Sequence, residues 1–190
     1  KKKKRAHNIH KILYKCPICG EEHYMRSENT MLWCDNCGAK WEMDVYGRLH
    51  SLTGEDKFNH VPDWYRWERE CVNKEVEDGT YCFEDDVRIE ELYSAKIGFV
   101  NLGTVHMKQD QTGIYLNGKL DNGTDFNLYK PAETTASLHI EYNFKKRGDA
   151  MDINTLDSTW FVYPKNYDNI ITKMHFATEA IYHKALREKN

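Results

Sequence analysis

No apolar run in this sequence approaches the roughly 18 residues of a membrane-crossing helix. The lysines at the start resemble the charged head of a secretory leader, but no apolar segment follows them. Six cysteines are too few for a disulfide scaffold. There is no glycine-rich phosphate loop and no Gly-x-Ser-x-Gly nucleophile turn. The nine histidines are scattered singly. These absences exclude a membrane span, a disulfide-stapled miniprotein and the commonest catalytic motifs. What is present in quantity is aromatic: five Trp, twelve Tyr and seven Phe, enough to build a core despite low mean hydropathy and to argue against intrinsic disorder. At 190 residues, the chain is long enough for one good-sized domain or two small ones.

Charge is unevenly placed. Lys1 to Lys15 holds seven basic residues and no acid, leaving a net charge of −10 on the remainder. A basic arm on an acidic body points to an anionic surface touched by Lys1, Lys2, Lys3, Lys4 and Arg5. The plainer reading of the same run is a solvated linker. The body lacks the basic stripe of a nucleic-acid binder.

The strongest signal is a pair of knuckles, Cys16-Pro17-Ile18-Cys19-Gly20 and Cys34-Asp35-Asn36-Cys37-Gly38, with fourteen residues between Cys19 and Cys34. Each Cys-x-x-Cys turn offers two thiolates to one ion. The glycine after each second cysteine permits the positive φ that turns backbone amides toward sulfur. Four thiolates make a tetrahedral site suited to structural Zn2+, with iron as the alternative, and leave no coordination position open for catalysis. The same pattern points to a reducing compartment. Glu22 to Arg26 and Thr30 to Trp33 read as a hairpin turning at Glu28-Asn29, with a third strand from Lys40 to Val45. His23, His50 and His60 are surplus to a four-cysteine site. Cys71 and Cys82 read as buried small hydrophobes.

After a polar stretch from Gly47 to Asn59, Trp64, Trp67, Cys71, Val72 and Val76 recur at helical spacing, with Pro62 and Asp63 at the start and Gly79 at the end. This stripe is expected to seal the ribbon to the C-terminal domain. From Thr80 the period becomes two. Val87 and Ile89, Val105 and Met107, Ile114 and Leu116, Phe126 and Leu128, Leu138 to Phe144, Met151 and Ile153, and Trp160 and Val162 mark about seven antiparallel strands. Asn122-Gly123 is a hairpin signal. Ile170, Met174, Ala177, Ile181 and Ala185 mark a terminal amphipathic helix. The expected fold is α+β: a basic linker at 1–12, a zinc ribbon at 13–48, a connecting segment and helix at 49–79, and at 80–190 a mostly antiparallel pleckstrin-homology-like barrel or sandwich closed by the C-terminal helix. His139 and Glu141 share an outward strand face, where they could meet as an acid–base pair, but they read first as an ordinary polar face. Glu84, Asp85, Asp86, Glu90 and Glu91 form an acidic run that could hold a hard cation but reads as a solvated edge, since no glycine-bearing loop positions the carboxylates.

Taken together, the four-cysteine ribbon, Phe58-Asn59-His60-Val61-Pro62-Asp63-Trp64-Tyr65-Arg66-Trp67-Glu68-Arg69, Gly103-Thr104-Val105-His106, Gly113-Ile114-Tyr115-Leu116-Asn117-Gly118, Leu138-His139-Ile140-Glu141-Tyr142 and Tyr163-Pro164 resemble the C-terminal extension of bacterial lysophospholipid (1-acylglycerol-3-phosphate) acyltransferases. The resemblance covers nearly the whole chain. It implies an acyltransferase domain in cis upstream of Lys1 and a peripheral, cytoplasmic place at the inner membrane face. It also implies a non-catalytic accessory role, because the family's His-x4-Asp motif is absent: no histidine here has Asp five positions on. A zinc-ribbon adaptor for protein or nucleic acid is the alternative, nucleic acid being disfavoured by the acidic body.

Overall fold

A computed structural model describes residues 4–94 and 96–189. The chain divides into two compact units, Lys1–Cys71 and Val72–Asn190.

In the first unit, β1 (Met25–Glu28), β2 (Met31–Cys34), β3 (Lys40–Met43) and β4 (Leu49–Ser51) form an antiparallel sheet in that order. The β1–β2 turn centres on Asn29, whose φ of 54° is one that asparagine tolerates well. The fourth strand lies in the segment read as a polar connection. It forms because the Asp44 carboxylate accepts the N–H groups of Tyr46 and Arg48 and reverses the chain, which carries Leu49 into the core. Helix α1 (Val61–Glu77) begins in this unit. Trp64 is fully buried edge-on to Trp41, with ring centroids 5.0 Å apart, and Phe58 packs against both Trp64 and Trp67. The tryptophan stripe therefore builds the ribbon's own core, together with Leu13, Met25, Leu32, Met43 and Leu49.

The segment expected to be a linker is part of this fold from Arg5 onward. The Arg5 guanidinium donates twice to the Met43 carbonyl, at 3.0 and 2.9 Å. Ala6 is buried and its N–H donates to Asn29. Lys4 is exposed. Lys1, Lys2 and Lys3, also assigned to an anionic surface, lie outside the described residues.

The second unit holds seven antiparallel strands: β5 (Phe83–Ser94), β6 (Gly98–Asp110), β7 (Gly113–Lys119), β8 (Asp125–Pro131), β9 (His139–Glu141), β10 (Ala150–Asn154) and β11 (Thr159–Pro164), in the order β8-β7-β6-β5-β11-β10-β9. Helix α2 (Ile171–Glu188) buries Ile171, Met174, Phe176, Ala177 and Ile181. A buried chain of polar groups ties α2 to the sheet: Tyr81 donates to Gln109, and the Gln109 amide donates to Thr178.

The expected barrel is not closed. Strands β8 and β9 are unpaired edges in this sheet order. Pro131, which has no N–H, ends β8, and β9 is only three residues long. Its expected continuation to Phe144 gives way at Asn143, which has a φ of 53° and leads into a short 3-10 turn. The sheet nevertheless curls until side chains meet across the gap: Phe126 packs edge-on against Trp160 at 5.0 Å, and the Lys130 ammonium donates to the Asn154 carbonyl at 2.8 Å. Among the described residues, no helix is long and apolar enough to cross a membrane.

Glu68 sits on the same face of α1 as Trp64 and is fully buried. Burial pushes its carboxyl well above the usual range, against the opposing pull of the Lys15 and Tyr14 N–H groups. The folded state thus holds this proton more tightly than the unfolded chain does. The group's contribution to stability is complete below about pH 4.5, the ordinary carboxyl value, and is lost as pH rises toward the folded value. Glu68→Gln, neutral at every pH, should therefore gain thermal stability relative to the parent as pH is raised from 4 to 8. A melting-temperature difference that stays flat with pH, or falls, would contradict this.

Candidate metal centre

The two knuckles are built alike. In the first, the Gly20 N–H donates to the Cys16 carbonyl and the Cys16 N–H to the Glu21 carbonyl, each at 2.9 Å. In the second, the Gly38 N–H donates to Cys34 and the Cys34 N–H to Ala39, again at 2.9 Å. Gly20 and Gly38 have φ values of 79° and 76°, a region costly for a residue with a Cβ. The turns aim backbone N–H groups at sulfur: those of Cys19 and Ile18 act on Cys16, and those of Cys37 and Asn36 on Cys34.

The sheet brings the two knuckles together, because the second cysteine pair begins at the last residue of β2 and Met25 of β1 pairs with Cys34. Cys16 Sγ lies 3.7 Å from Cys37 Sγ, and Cys19 Sγ lies 3.8 Å from Cys34 Sγ. All four sulfurs fall within 4.8 Å of one another. A disulfide needs a separation of about 2.05 Å, so these are four free thiols. A regular tetrahedron of sulfurs about 2.3 Å from a central ion has edges of about 3.8 Å. The spacing and the all-sulfur donor set fit one tetrahedral metal ion. Cys16 and Cys34 are buried, while Cys19 and Cys37 face outward. Burial drives the Cys16 and Cys34 thiols upward. At Cys19 burial also raises the thiol, but the Glu21 N–H, Asn36 and the neighbouring cysteines outweigh it and bring the group down to about 7.

Residues around the site hold the first knuckle in place. The Lys15 N–H donates to Glu68 at 2.8 Å, and the Lys15 carbonyl accepts from Trp64 Nε1 at 3.0 Å. Lys57 donates to the Pro17 carbonyl at 2.9 Å. Helix α1 thus grips the backbone on the N-terminal side of Cys16. The periodicity did mark this face, since Glu68 follows Trp64 by four residues, but a carboxylate there reads as solvent-facing until its partner is seen.

The other candidates separate. His23, His50 and His60 lie outside the sulfur cluster; His50 pairs with Asp44 at 2.9 Å and His60 with Asp63 at 3.8 Å. Cys71 is only half-buried and Cys82 is exposed, so neither is the core residue expected. His139 and Glu141 do meet, at 3.2 Å, on open surface. The acidic run is solvated only in part: Glu84 and Asp86 are exposed, while Asp85 and Glu90 turn inward. Asp85 is buried, accepting the Lys165 and Asn166 N–H groups and the Asn166 side-chain amide. Glu90 is buried against Arg88, Arg147 and Tyr163. Ser137, His175 and Glu179 come together, with Ser137 Oγ 3.5 Å from His175 Nδ1. That nitrogen, however, is 2.9 Å from the Leu138 carbonyl, an arrangement that commits its proton to the backbone rather than leaving it as a base for serine.

No protein-family model, no curated protein and no solved structure matches this chain.

Gly20→Ala and Gly38→Ala leave all four sulfurs in place but strain the turns that orient them. Each is expected to cost about 1–2 kcal/mol and to speed metal release to a chromophoric chelator. Release at the parent rate from both variants would show that the knuckle geometry does not hold the ion.

Proposed function

We propose that this chain is a non-catalytic accessory module. Its first unit is scaffolded by a structural Zn2+ on Cys16, Cys19, Cys34 and Cys37. Its second unit, read as an open, pleckstrin-homology-like barrel, is a docking body. The observation that carries this reading is the closed donor set: four sulfurs at tetrahedral spacing leave no position for water or substrate on the ion. When bound, the ion supplies folding energy. The chain's own residues position it, through the knuckle amides and the α1 contacts to Lys15. Zinc is preferred to iron because a closed scaffold needs no redox chemistry.

The parent protein is proposed to be an acyltransferase of the lysophospholipid type, with its catalytic domain in cis and its place at the cytoplasmic face of a membrane. Support comes from what the resembling residues do here. Trp64, in the Pro-Asp-Trp-Tyr segment, is core. Gly113 lies so close to β8 that a Cβ would come 2.1 Å from the Lys130 carbonyl oxygen. Tyr163 is buried and bonded to Glu90. Each is a packing role, as an accessory module requires. Arg5 is engaged with Met43, so contact with an anionic lipid surface falls to Lys1 to Lys4.

The purified chain is expected to transfer no acyl group from a thioester to lysophosphatidate, and to sediment weakly, in a salt-sensitive manner, with anionic vesicles. Deleting residues 1–4 should abolish the sedimentation without unfolding the ribbon. Turnover by the chain alone would overturn the accessory reading. Vesicle binding that survives the deletion or 1 M salt would remove the lipid-facing role from this arm.

A further inference from the structure

The β3–β4 turn, Asp44-Val45-Tyr46-Gly47-Arg48, carries at its apex the two most exposed large apolar side chains among the described residues of the first unit: Val45 is 72% exposed and Tyr46 86%. The turn has no need of them. Asp44 closes it, accepting the Tyr46 and Arg48 N–H groups at 2.8 and 3.0 Å, and Gly47 supplies the positive φ of 80°. Those bonds run to backbone, so serine at 45 and 46 would keep them, and small polar residues are the usual choice at such an apex. A valine and a tyrosine held outward on a closed turn lose little further freedom when something covers them.

The turn also lies at the root of the basic arm. The Arg5 guanidinium donates twice to the carbonyl of Met43, the residue before Asp44. From that anchor the chain runs back to Lys4, which is exposed, and in sequence to Lys3, Lys2 and Lys1. Arg48, on the far side of the turn, is exposed as well. Acids at this end are largely engaged. Besides the two N–H groups, Asp44 holds His50 at 2.9 Å, and Glu42 accepts from Thr30 at 3.3 Å. Glu28, in the neighbouring β1–β2 hairpin, is exposed too, one acid set against Lys4, Arg48 and the arm. Apolar tip and cations therefore share one end of the ribbon sheet.

Size separates the occupants. A stable protein partner needs about 800 Å² on each side, from roughly 20–30 residues. Two side chains on one turn supply a small part of that. A bilayer asks for no matching surface. An aliphatic side chain below the headgroups, a tyrosine at headgroup level and cations beside anionic lipid combine into weak, reversible attachment. Nucleic acid would stack on Tyr46 but has no use for Val45.

We propose that the Val45–Tyr46 turn is a wedge that enters an anionic bilayer while Lys4 and the arm hold lipid phosphates beside it. Its role rests on the lipid-facing role proposed for the arm and adds the apolar half that charge attraction alone lacks.

Vesicles of phosphatidylglycerol and phosphatidylcholine at low salt are the probe. Val45→Ser combined with Tyr46→Ser alters no charge and keeps the Asp44 bonds. It should weaken vesicle partitioning at least about tenfold. On the unaltered chain, lipid carrying a nitroxide in its acyl chain should broaden the backbone amide signals of Val45 and Tyr46 in bicelles of the same lipids and leave that of Leu32 sharp. Partitioning by the serine variant equal to the parent's, with binding still lost on deletion of residues 1–4, would overturn the wedge and leave the arm's role standing. Absence of nitroxide broadening at 45 and 46 in the bound chain would do the same. Absence of any vesicle binding by the parent chain would overturn both. Preference for a short single-stranded oligonucleotide over vesicles at the same salt would assign the turn to nucleic acid and overturn the wedge.

Discussion

Four sulfur atoms within 4.8 Å of one another are the constraint around which the first unit is arranged. Two of these cysteines precede the sheet, one ends its second strand and one lies in the turn that follows, so the sulfurs can meet only if β1 and β2 pair in the observed register, with Met25 opposite Cys34. The glycines after each pair, the amides directed at sulfur and the Lys15 contacts to α1 all serve that meeting. A unit of this size buries too little apolar surface to be generously stable by packing alone. An ion held by four thiolates would then provide a large part of its folding energy. Cys19 and Cys37 face outward, so the ion would lie near the surface while its scaffold reaches the core through Cys16 and Cys34.

The second unit solves a different problem. It has a long curled sheet and a helix, and it satisfies its buried polar groups internally: Asp85 by backbone amides, Glu90 by two arginines and a tyrosine, and Gln109 by Tyr81 and Thr178. Polar side chains so fully committed to neighbours rigidify a fold and leave little chemistry to spare. The exceptions among the described residues of this unit are Gln111 Nε2, Thr135 Oγ1, Asp152 Oδ1 and Trp160 Nε1, which are buried without a hydrogen-bond partner.

Much of this was legible in the residues. Knuckle spacing is a local property, and the two-residue alternation of Val87-x-Ile89 or Val105-x-Met107 reports a face directly. The terminal helix was read to within a residue of its start from its four-three-four spacing. The failures share a cause, since each depended on a partner distant in sequence. Strand β4 has one apolar residue and is recognisable only by its pairing with β3. Glu68 is buried because the backbone at Lys15 receives it, fifty-three positions away. The acidic run looked solvated until alternation and the 165–166 amides were known. Barrel closure depended on whether the edge strands β8 and β9 found each other, which hydrophobic period does not encode.

The most direct test of the central claim is X-ray absorption at the metal edge of the purified chain. A scaffold closed by Cys16, Cys19, Cys34 and Cys37 predicts a zinc edge and a single shell of four sulfurs at about 2.3 Å, with no oxygen or nitrogen ligand. Three sulfurs with a lighter atom in the remaining position would reveal an open, reactive ion. A well-folded chain with no metal edge at all would contradict the account outright.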